Sequence, residues 1–199
     1  MLKNIVIAGV GGQGTILSSK ILITASKTLG YFIRSSETIG MAQRGGSVCS
    51  HIRIGSAEVS PVIPVGHADI LIGFELAEAA RQLPKLKKNA SCIVNTDQIV
   101  PTNVSLHQGV YLKDEYLAAL KKQVPNGIFV SATELALKAG NAKTLNIVLL
   151  GVALGAGILP FSKEEITAAM RECIKPKLLD MNLYALELGI AAAEGTKQD

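Results

Sequence analysis

The strongest constraint on the fold is a strand, a glycine-rich turn and a helix that follow one another at the start of the sequence. Residues 4–8 form a continuous apolar run, which is typical of a central strand covered on both faces. The run leads into Gly9-Val10-Gly11-Gly12-Gln13-Gly14, and a helix is predicted over about residues 13–29, with Gly30 as its C-cap. Such a turn gathers the unpaired N–H groups and the positive dipole end of a helix, which favours an anion.

Further apolar runs predict a sheet with helices on both faces. Strands are expected at residues 31–34, ending near Ser35-Ser36-Glu37, and at residues 47–54, 69–74, 91–95 and 128–130. The last third of the chain is expected to be helical. Residues 47–54 alternate in polarity and turn at Gly55-Ser56 into residues 57–60, which predicts an antiparallel hairpin. We therefore expect one domain over residues 1–199, a three-layer α/β/α fold with a Rossmann-like, mostly parallel but mixed sheet.

The helical segments carry their own start signals. Ser131-Ala132-Thr133-Glu134 and Ser162-Lys163-Glu164-Glu165 both have the form of a capping box, each flanked by apolar residues placed as a hydrophobic staple. Residues 151–155 begin and end with glycine, which permits close helix packing, and we expect that packing in the core. Glu75 follows a strand and opens a helix, so it is either a ligand-facing acid or a partner of the helix dipole.

Composition narrows the classes of function. Lys and Arg number 20 against 16 Asp and Glu, and the basic residues are scattered except at residues 85–88, which we interpret as a solvated helix end. No nucleic-acid binding is expected.

Cys49, Cys92 and Cys173 are far apart in the sequence, so neither a disulfide nor a metal site is expected. We interpret them as buried intracellular thiols. The apolar run at residues 145–159 is too short to span a bilayer and no signal-peptide pattern is present, so we expect a cytoplasmic protein with no membrane partner.

The first glycine turn is compatible with a dinucleotide site. Gly9, Gly11 and Gly14 satisfy the G-x-G-x-x-G spacing, and Glu37 stands near the end of the second predicted strand, where a ribose-binding acid would lie. Against this interpretation, Gln13 opens the helix with an amide and the second strand is followed by a glycine-arginine loop. A further alternative is that the glycines only let the helix approach the strand.

The second glycine-bearing segment is harder to explain by packing. It reads Ser36-Glu37-Thr38-Ile39-Gly40-Met41-Ala42-Gln43-Arg44-Gly45-Gly46-Ser47. Its glycines leave the backbone free, so the side chains on offer for chemistry are Glu37, Gln43 and Arg44. The Arg44 guanidinium can fork onto a carboxylate or a phosphate. The simpler alternative is a surface ion pair between Arg44 and Glu37, worth less than about 1 kcal/mol.

Taken together, the two glycine segments closely resemble the gamma-type subunit of 2-oxoacid:ferredoxin oxidoreductases, and specifically the beta subunit of indolepyruvate ferredoxin oxidoreductase. The resemblance continues through residues 68–75, 94–96 and 146–151, and so covers nearly the whole chain. Gly40-Met41-Ala42-Gln43 points to the arylpyruvate branch, since pyruvate and oxoglutarate relatives carry glycine-proline-glutamate there. Ile39 is a departure, because histidine is often expected at that position.

The resemblance implies oxidative decarboxylation of a 2-oxoacid on thiamine diphosphate, with the acyl group passing to coenzyme A and electrons passing through iron–sulfur clusters to ferredoxin. It implies that thiamine diphosphate, Mg and the clusters lie on a larger partner subunit, because three scattered cysteines cannot hold the clusters. A stand-alone NAD- or FAD-type oxidoreductase, a pyruvate- or 2-oxoglutarate-specific member of the family and a non-catalytic assembly module are the alternatives. The candidate catalytic residues are Glu37, Gln43 and Arg44. The candidate cofactor-binding residues are Gly9, Gly11, Gly12, Gln13, Gly14, Gly45, Gly46 and Ser47.

Overall fold

A six-stranded sheet forms the centre of the molecule, in a computed structural model that describes residues 3–40, 45–55, 59–99 and 110–195. The strand order is β2-β3-β1-β4-β5-β6. The strands are β1 (Lys3–Val10), β2 (Ile33–Ile39), β3 (Ser47–Ile54), β4 (Ala68–Gly73), β5 (Leu86–Asn95) and β6 (Ile128–Val130). β1, β4, β5 and β6 are mutually parallel, whereas β3 is antiparallel to both of its neighbours, β1 and β2.

Helices cover both faces of this sheet. They are α1 (Thr15–Thr28), α2 (Leu76–Arg81), α3 (Lys113–Gln123), α4 (Ala132–Lys138), α5 (Leu145–Gly155), α6 (Lys163–Cys173) and α7 (Pro176–Gly195). Ile5 and Ile7 of β1 pack on the side of α1, α5, α6 and α7, and Val6 and Ala8 pack on the side of α2 and α3. The expected three-layer α/β/α fold with a mixed sheet and a helical C-terminal third is confirmed. Within the described ranges, no helix is long and apolar enough to cross a membrane.

The antiparallel hairpin differs from the predicted one. β3 pairs with β2 across the segment between Gly40 and Ser47, and the Gly40 N–H donates to the Ser47 carbonyl at 2.8 Å. The predicted pairing of β3 with residues 57–60 is wrong, because β1 and β2 already occupy both edges of β3. Residues 59–60 are not in a strand, and residues 56–58 lie outside the described ranges.

The second strand lies slightly later in the chain than predicted. The strand expected from Tyr31 and ending near Ser35-Ser36-Glu37 is observed as β2, which begins at Ile33 and ends at Ile39. Its polar residues are accommodated because β2 lies at the edge of the sheet, where its side chains remain exposed or half-buried.

Two of the predicted helix caps are confirmed. Gly30 adopts a φ of 74° after α1, and the N–H of Tyr31 donates to the Ser26 carbonyl, as in a Schellman motif. At α6, the Ser162 hydroxyl accepts from the N–H of Glu165, whose carboxylate accepts from the Ser162 N–H. This reciprocal pair is the predicted capping box.

The predicted capping box at Ser131 is wrong. The Ser131 hydroxyl makes no cap bond and donates instead to the Asp97 carboxylate at 3.1 Å. The first N–H groups of α4 are satisfied from the end of β5, since Ala132 N–H donates to Asn95 and Thr133 N–H donates to Asp97. Side chains that are remote in sequence have taken over the capping role.

The basic run at residues 85–88 is not a helix end as a whole. Lys85 ends a short 3-10 turn at Leu83–Lys85, and the residues after it begin β5. The Lys87 ammonium pairs with Asp69, and the Lys85 ammonium donates to the Ile63 carbonyl at 2.8 Å. The charges thus occupy the solvated beginning of a long strand.

The helix pair α5 and α7 packs backbone against backbone. A Cβ atom added to Gly151 would lie 2.3 Å from the Leu186 carbonyl oxygen, and one added to Gly189 would lie 2.1 Å from the Val148 carbonyl oxygen. Neither distance is compatible with a side chain. The expected core packing of the Gly151 segment is confirmed, and α7 contributes its own glycine to it.

Candidate functional site at the glycine turn

The glycine turn lies at the C-terminal end of β1, where doubly wound sheets place their ligands. Gly12 and Gly14 have φ values of 100° and 83°, which favour glycine, and Gly14, as the N-cap of α1, has no side chain with which to cap it. A Cβ on Gly14 would lie 2.9 Å from the Asn146 side chain, whereas one on Gly12 would meet nothing within 4 Å. Gly14 therefore packs against α5, and the Gly12 backbone is open.

Gln13 fixes the shape of this turn. Its Oε1 accepts from the Val10 N–H at 2.8 Å, and its Nε2 donates to the Phe74 carbonyl at 2.9 Å. A Cβ on Gly9 would lie 2.7 Å from the same Oε1, so Gly9 makes room for the amide. Both polar atoms of Gln13 are thus bonded to the ends of β1 and β4. The roles of Gly9 and Gln13 in cofactor binding remain predictions.

The two predicted glycine segments lie side by side. The Gly11 N–H donates to the Gly46 carbonyl at 2.8 Å, and the Gly45 N–H donates to the Gly11 carbonyl at 3.4 Å. Ser47 pairs with Val10 at the first position of the β1–β3 ladder. The candidate cofactor-binding residues therefore lie together and, apart from the buried Gly9, form one surface. The candidate catalytic residues Gln43 and Arg44 lie outside the described residues.

Glu37 stands apart from this surface. It lies on β2 opposite Ser50 of β3, and its side chain is exposed. It lines neither of the pockets beside the turn. In a dinucleotide fingerprint the acid follows the strand adjacent to the glycine-turn strand. Here β3 separates β2 from β1, so the topology does not bring Glu37 to a ribose held at the turn.

A pocket of about 320 Å³ lies on the β5 side of the turn. Gly12 forms one wall, and Asn95, Asp97, Thr133 and Lys143 contribute polar groups. Asn95 is only 1% exposed, and its Nδ2 donates to the Phe74 carbonyl at 3.2 Å. The same carbonyl accepts from Gln13, so the ends of β1, β4 and β5 are tied together beneath this β5-side pocket.

A second pocket of about 440 Å³ lies on the opposite side, between the start of α1 and the β2–β3 hairpin. Apolar side chains of Ile16, Ile39 and Val48 line it together with the backbone of Gly11 and Gly12. Ile16 is 47% exposed and Ile39 is 58% exposed. This β2-side pocket offers an apolar contact immediately beside the open glycine backbone.

A chain of buried carboxylates braces the segment that ends at Ser47. The Ser47 hydroxyl donates to Glu78 Oε2 at 2.6 Å, and the Glu78 N–H donates to Glu75 Oε2 at 3.0 Å. Glu75 is 2% exposed and also accepts from the Tyr111 hydroxyl. Burial and the hydrogen bond to Glu75 raise the pKa of Tyr111. Glu75 therefore acts as the N-cap of α2 and as an anchor for Tyr111.

Cys49 and His51 are close enough to invite a catalytic interpretation. The Ile63 N–H donates to His51 Nδ1 at 3.1 Å, so the ring proton sits on Nε2, which lies 3.5 Å from Cys49 Sγ. Burial raises the pKa of Cys49 to about 11, and burial with the nearby Lys85 charge lowers the pKa of His51. The pair is therefore a neutral thiol and a neutral imidazole, which is a structural contact.

Sequence reasoning missed the polar lining of the β5-side pocket. Asn95 and Asp97 follow a buried strand, and residues in that position gather at the carboxyl edge of a parallel sheet. That signal was available in the sequence. Thr133 and Lys143 could not be found this way, because the order of β5 and β6 and the packing of α4 and α5 bring them to the pocket.

Solved structures first define the class of fold. The chain superimposes on the gamma subunit of a keto/oxoacid ferredoxin oxidoreductase from Geobacter sulfurreducens with a TM-score of 0.68 and 22% identity, over 97% of this chain and 99% of that one. The family model described as pyruvate ferredoxin/flavodoxin oxidoreductase matches residues 4–192. The chain belongs to this family.

Two curated relatives refine the comparison. The indolepyruvate oxidoreductase subunit IorB of Archaeoglobus fulgidus is 43% identical over 190 residues, which cover 95% of this chain and 94% of the relative. The ketoisovalerate oxidoreductase subunit VorA of Methanothermobacter thermautotrophicus is 29% identical over 92% of this chain, but the match covers only 35% of VorA. The same domain thus occurs both as a separate chain and as part of a longer one.

Proposed function

We propose that this chain is the small subunit of an indolepyruvate-type 2-oxoacid:ferredoxin oxidoreductase, which acts in the cytoplasm. The observation that carries the proposal is that hydrogen bonds join the two glycine segments. They do so in a chain that is 43% identical to IorB over nearly its whole length. The complex would decarboxylate an arylpyruvate, transfer the acyl group to coenzyme A and pass electrons to ferredoxin.

The described residues do not provide a set of ligands for the metal-containing cofactors of such a reaction. In residues 3–40, 45–55, 59–99 and 110–195, no three His, Cys, Asp or Glu side chains are grouped to hold a metal ion. Cys49 and Cys92 are free cysteines that are buried in the protein. Burial raises the pKa of Cys92 to about 12. We assign thiamine diphosphate, which supplies the carbanion chemistry, and Mg and the iron–sulfur clusters to a larger partner subunit.

This chain then supplies a wall of the composite site. The open backbone of Gly12 and the start of α1, whose N-cap is Gly14, offer N–H groups to an anion such as a carboxylate or a phosphate. Lys143 adds a positive charge at the β5-side pocket. The hydrogen bonds of Gln13 and Glu78 hold the turn and Ser47 in place before any ligand arrives. These residues bind and orient, and the partner carries the redox groups.

The proposal is tested by producing the chain with and without its large subunit and measuring ferredoxin or viologen reduction. We expect neither chain to react alone, and the complex to prefer indolepyruvate and phenylpyruvate to pyruvate and 2-oxoglutarate. A clear preference for pyruvate would overturn the assigned branch. Binding of NAD or FAD by the isolated chain would support the stand-alone oxidoreductase instead.

Arg44 provides a sharper test of the sequence prediction. Arg44→Ala should raise the KM for the 2-oxoacid or for coenzyme A about tenfold or more, because a charge-assisted contact to an anion is lost. Assembly with the large subunit should be unchanged. Arg171→Ala, at an exposed position in the last turn of α6, is the matched control. Equal kinetics for the two variants would remove Arg44 from the site.

A further inference from the structure

The two pockets beside the glycine turn differ in the chemistry of their walls. The β5-side pocket carries the charged side chains of Asp97 and Lys143. The β2-side pocket has a volume of about 440 Å³, and none of its described lining residues is charged. Volumes of roughly 300–1,000 Å³ with apolar walls and few polar groups are typical of sites for small organic ligands. The β2-side pocket therefore has the size and the walls of such a site.

Two elements supply the apolar walls of the β2-side pocket. Ile39 pairs with Val48 across β2 and β3, so these two side chains lie on the same face of the sheet. Ile16, in the first turn of α1, lines the same pocket. Val48 is 5% exposed, whereas Ile16 and Ile39 are 47% and 58% exposed. An apolar ligand group between Ile16 and Ile39 would remove this surface from water, which is favourable.

The start of α1 forms the polar end of the pocket. The first hydrogen bond of the helix runs from the Ser18 N–H to the Gly14 carbonyl, so the N–H groups of residues 15–17 have no partner within the helix. No acidic side chain lies in the first turn of this 14-residue helix. The positive dipole end of α1 is therefore not neutralised by its own first turn, and it favours an anion.

A buried hydroxyl lies at the same point. Thr15 is 3% exposed and lines the β2-side pocket, yet its hydroxyl makes no hydrogen bond with any residue in the described ranges. Within these ranges the buried hydroxyls of Ser19 and Ser50 also have no partner, but neither residue lines this pocket. A buried hydroxyl is costly unless it is hydrogen-bonded. Thr15 is therefore an indication of a ligand that does not depend on the helix dipole.

The chemistry of the two ends defines the class of ligand. N–H groups and one hydroxyl can hold a single negative charge, whereas groups with several charges are typically bound by Lys or Arg as well. No described lining residue of this pocket is a Lys or an Arg. The apolar walls require an apolar arm next to the charge. An aromatic 2-oxoacid has both features, since its carboxylate and its ring are separated only by a carbonyl and a methylene group.

We propose that the start of α1 and the β2-side pocket together bind the arylpyruvate substrate. The carboxylate accepts hydrogen bonds from the N–H groups at the start of α1 and from the Thr15 hydroxyl, and the aromatic ring lies between Ile16 and Ile39. This inference rests on the proposed function. It goes further by naming the part of this chain that selects aromatic 2-oxoacids, with Ile39 as a specificity-determining residue.

The aromatic end is tested in the complex of the full chain with its large subunit, by reduction of viologen with phenylpyruvate and with pyruvate. Ile39→Ser should lower kcat/KM for phenylpyruvate about tenfold and leave kcat/KM for pyruvate unchanged, because only the aromatic substrate loses an apolar contact. The matched control is Val65→Ser, at another exposed apolar residue, which precedes β4. An unchanged ratio of the two kcat/KM values in Ile39→Ser would overturn the proposal.

The carboxylate end has its own variants. Thr15→Val removes the hydroxyl and keeps the shape of the side chain, and it should raise the KM of both 2-oxoacids about tenfold, since the carboxylate is common to them. Thr15→Ser keeps the hydroxyl and should have a KM close to that of the wild type, which separates the hydrogen bond from packing. Thr28→Val, at the end of the same helix, is the control. A normal KM for both 2-oxoacids in the Thr15→Val complex would overturn the assignment.

The same measurements separate two sources of the negative charge. If a phosphate group of coenzyme A occupied the start of α1, Thr15→Val would raise the KM for coenzyme A and leave the KM of both 2-oxoacids unchanged, which would overturn the proposal. If the wild-type complex reduces neither ferredoxin nor viologen with any 2-oxoacid, the proposed function itself fails. If the wild-type complex prefers phenylpyruvate and Ile39→Ser keeps that preference, only the present inference fails.

Discussion

Glycine has opposite roles in two regions of this protein. Between α5 and α7, a Cβ on Gly151 or Gly189 would lie 2.3 or 2.1 Å from a backbone carbonyl oxygen. In the turn after β1, a Cβ on Gly12 would meet nothing within 4 Å, and the same holds for Gly45 in the neighbouring segment. The first region requires glycine for space. The second requires it for backbone conformation, since both turn residues have positive φ.

The difference shows how to separate packing glycines from binding glycines. The sequence presents both as short glycine-containing patterns, and neither spacing alone assigns a role. A glycine whose missing side chain would enter solvent has no neighbouring element on that side, so a ligand can approach its backbone there. A glycine whose missing side chain would enter a neighbouring helix is already in contact with protein. The turn therefore remains the better candidate site.

The largest expected effect is at the helix pair. Gly189→Ala should destabilise the fold by about 3 kcal/mol or more, because the clash is with a backbone carbonyl that moves only if the helices separate. Urea unfolding of the isolated chain measures it. Gly195→Ala, at the end of the same helix, is the control, since its Cβ would meet nothing within 4 Å. A similar loss of unfolding free energy at both positions would show that close helix packing is not the reason for glycine at position 189.

Gly14 is expected to be intermediate, because it combines both roles. Gly14→Ala adds strain at a φ of 83° and pushes on Asn146, which donates to Ser18 Oγ at 3.2 Å. We expect a loss of about 2 kcal/mol. In an Asn146→Ala background the same substitution should cost less, and a double-mutant cycle measures the difference. Purely additive effects would show that the contact with Asn146 does not limit the position.

The smallest effect on stability is expected at Gly12, where only backbone strain is added. Gly12→Ala should cost about 1 kcal/mol in urea unfolding. Gly66→Ala is the matched control, since Gly66 has a φ of 73° and equally open surroundings far from the turn. In the reconstituted complex, only Gly12→Ala should reduce turnover. Equal activity of the two variants would show that the turn is not part of the site.

The sequence predicted those parts of the molecule that depend on local patterns. The buried β1, the turn, α1 with its Gly30 cap and the capping box at Ser162 all follow from neighbouring residues. The position of β2 does not, because pairing with β3 is decided by contacts across the sheet. The Ser131 cap failed for the same reason, since Asp97 and Asn95 are brought to α4 by the fold.

The candidate site was predictable to a similar extent. The glycine segments are recognisable in sequence, and the ladder between β1 and β3 explains their contact only once the strand order is known. Gln13 is a predicted cofactor-binding residue that lines the β5-side pocket, and both of its polar atoms are also bonded to the backbone of Val10 and Phe74. A side-chain amide can serve either purpose, and the sequence does not distinguish them.

The hydrogen bond between Gly40 and Ser47 separates the pairing of the β2–β3 hairpin from the side chains near its tip. It closes the base of the hairpin, so the register of the two strands is set below the loop. A substitution that keeps Gly45 and Gly46, which bond to Gly11, can therefore change the side chains presented beside the turn without changing the pairing of β2 with β3.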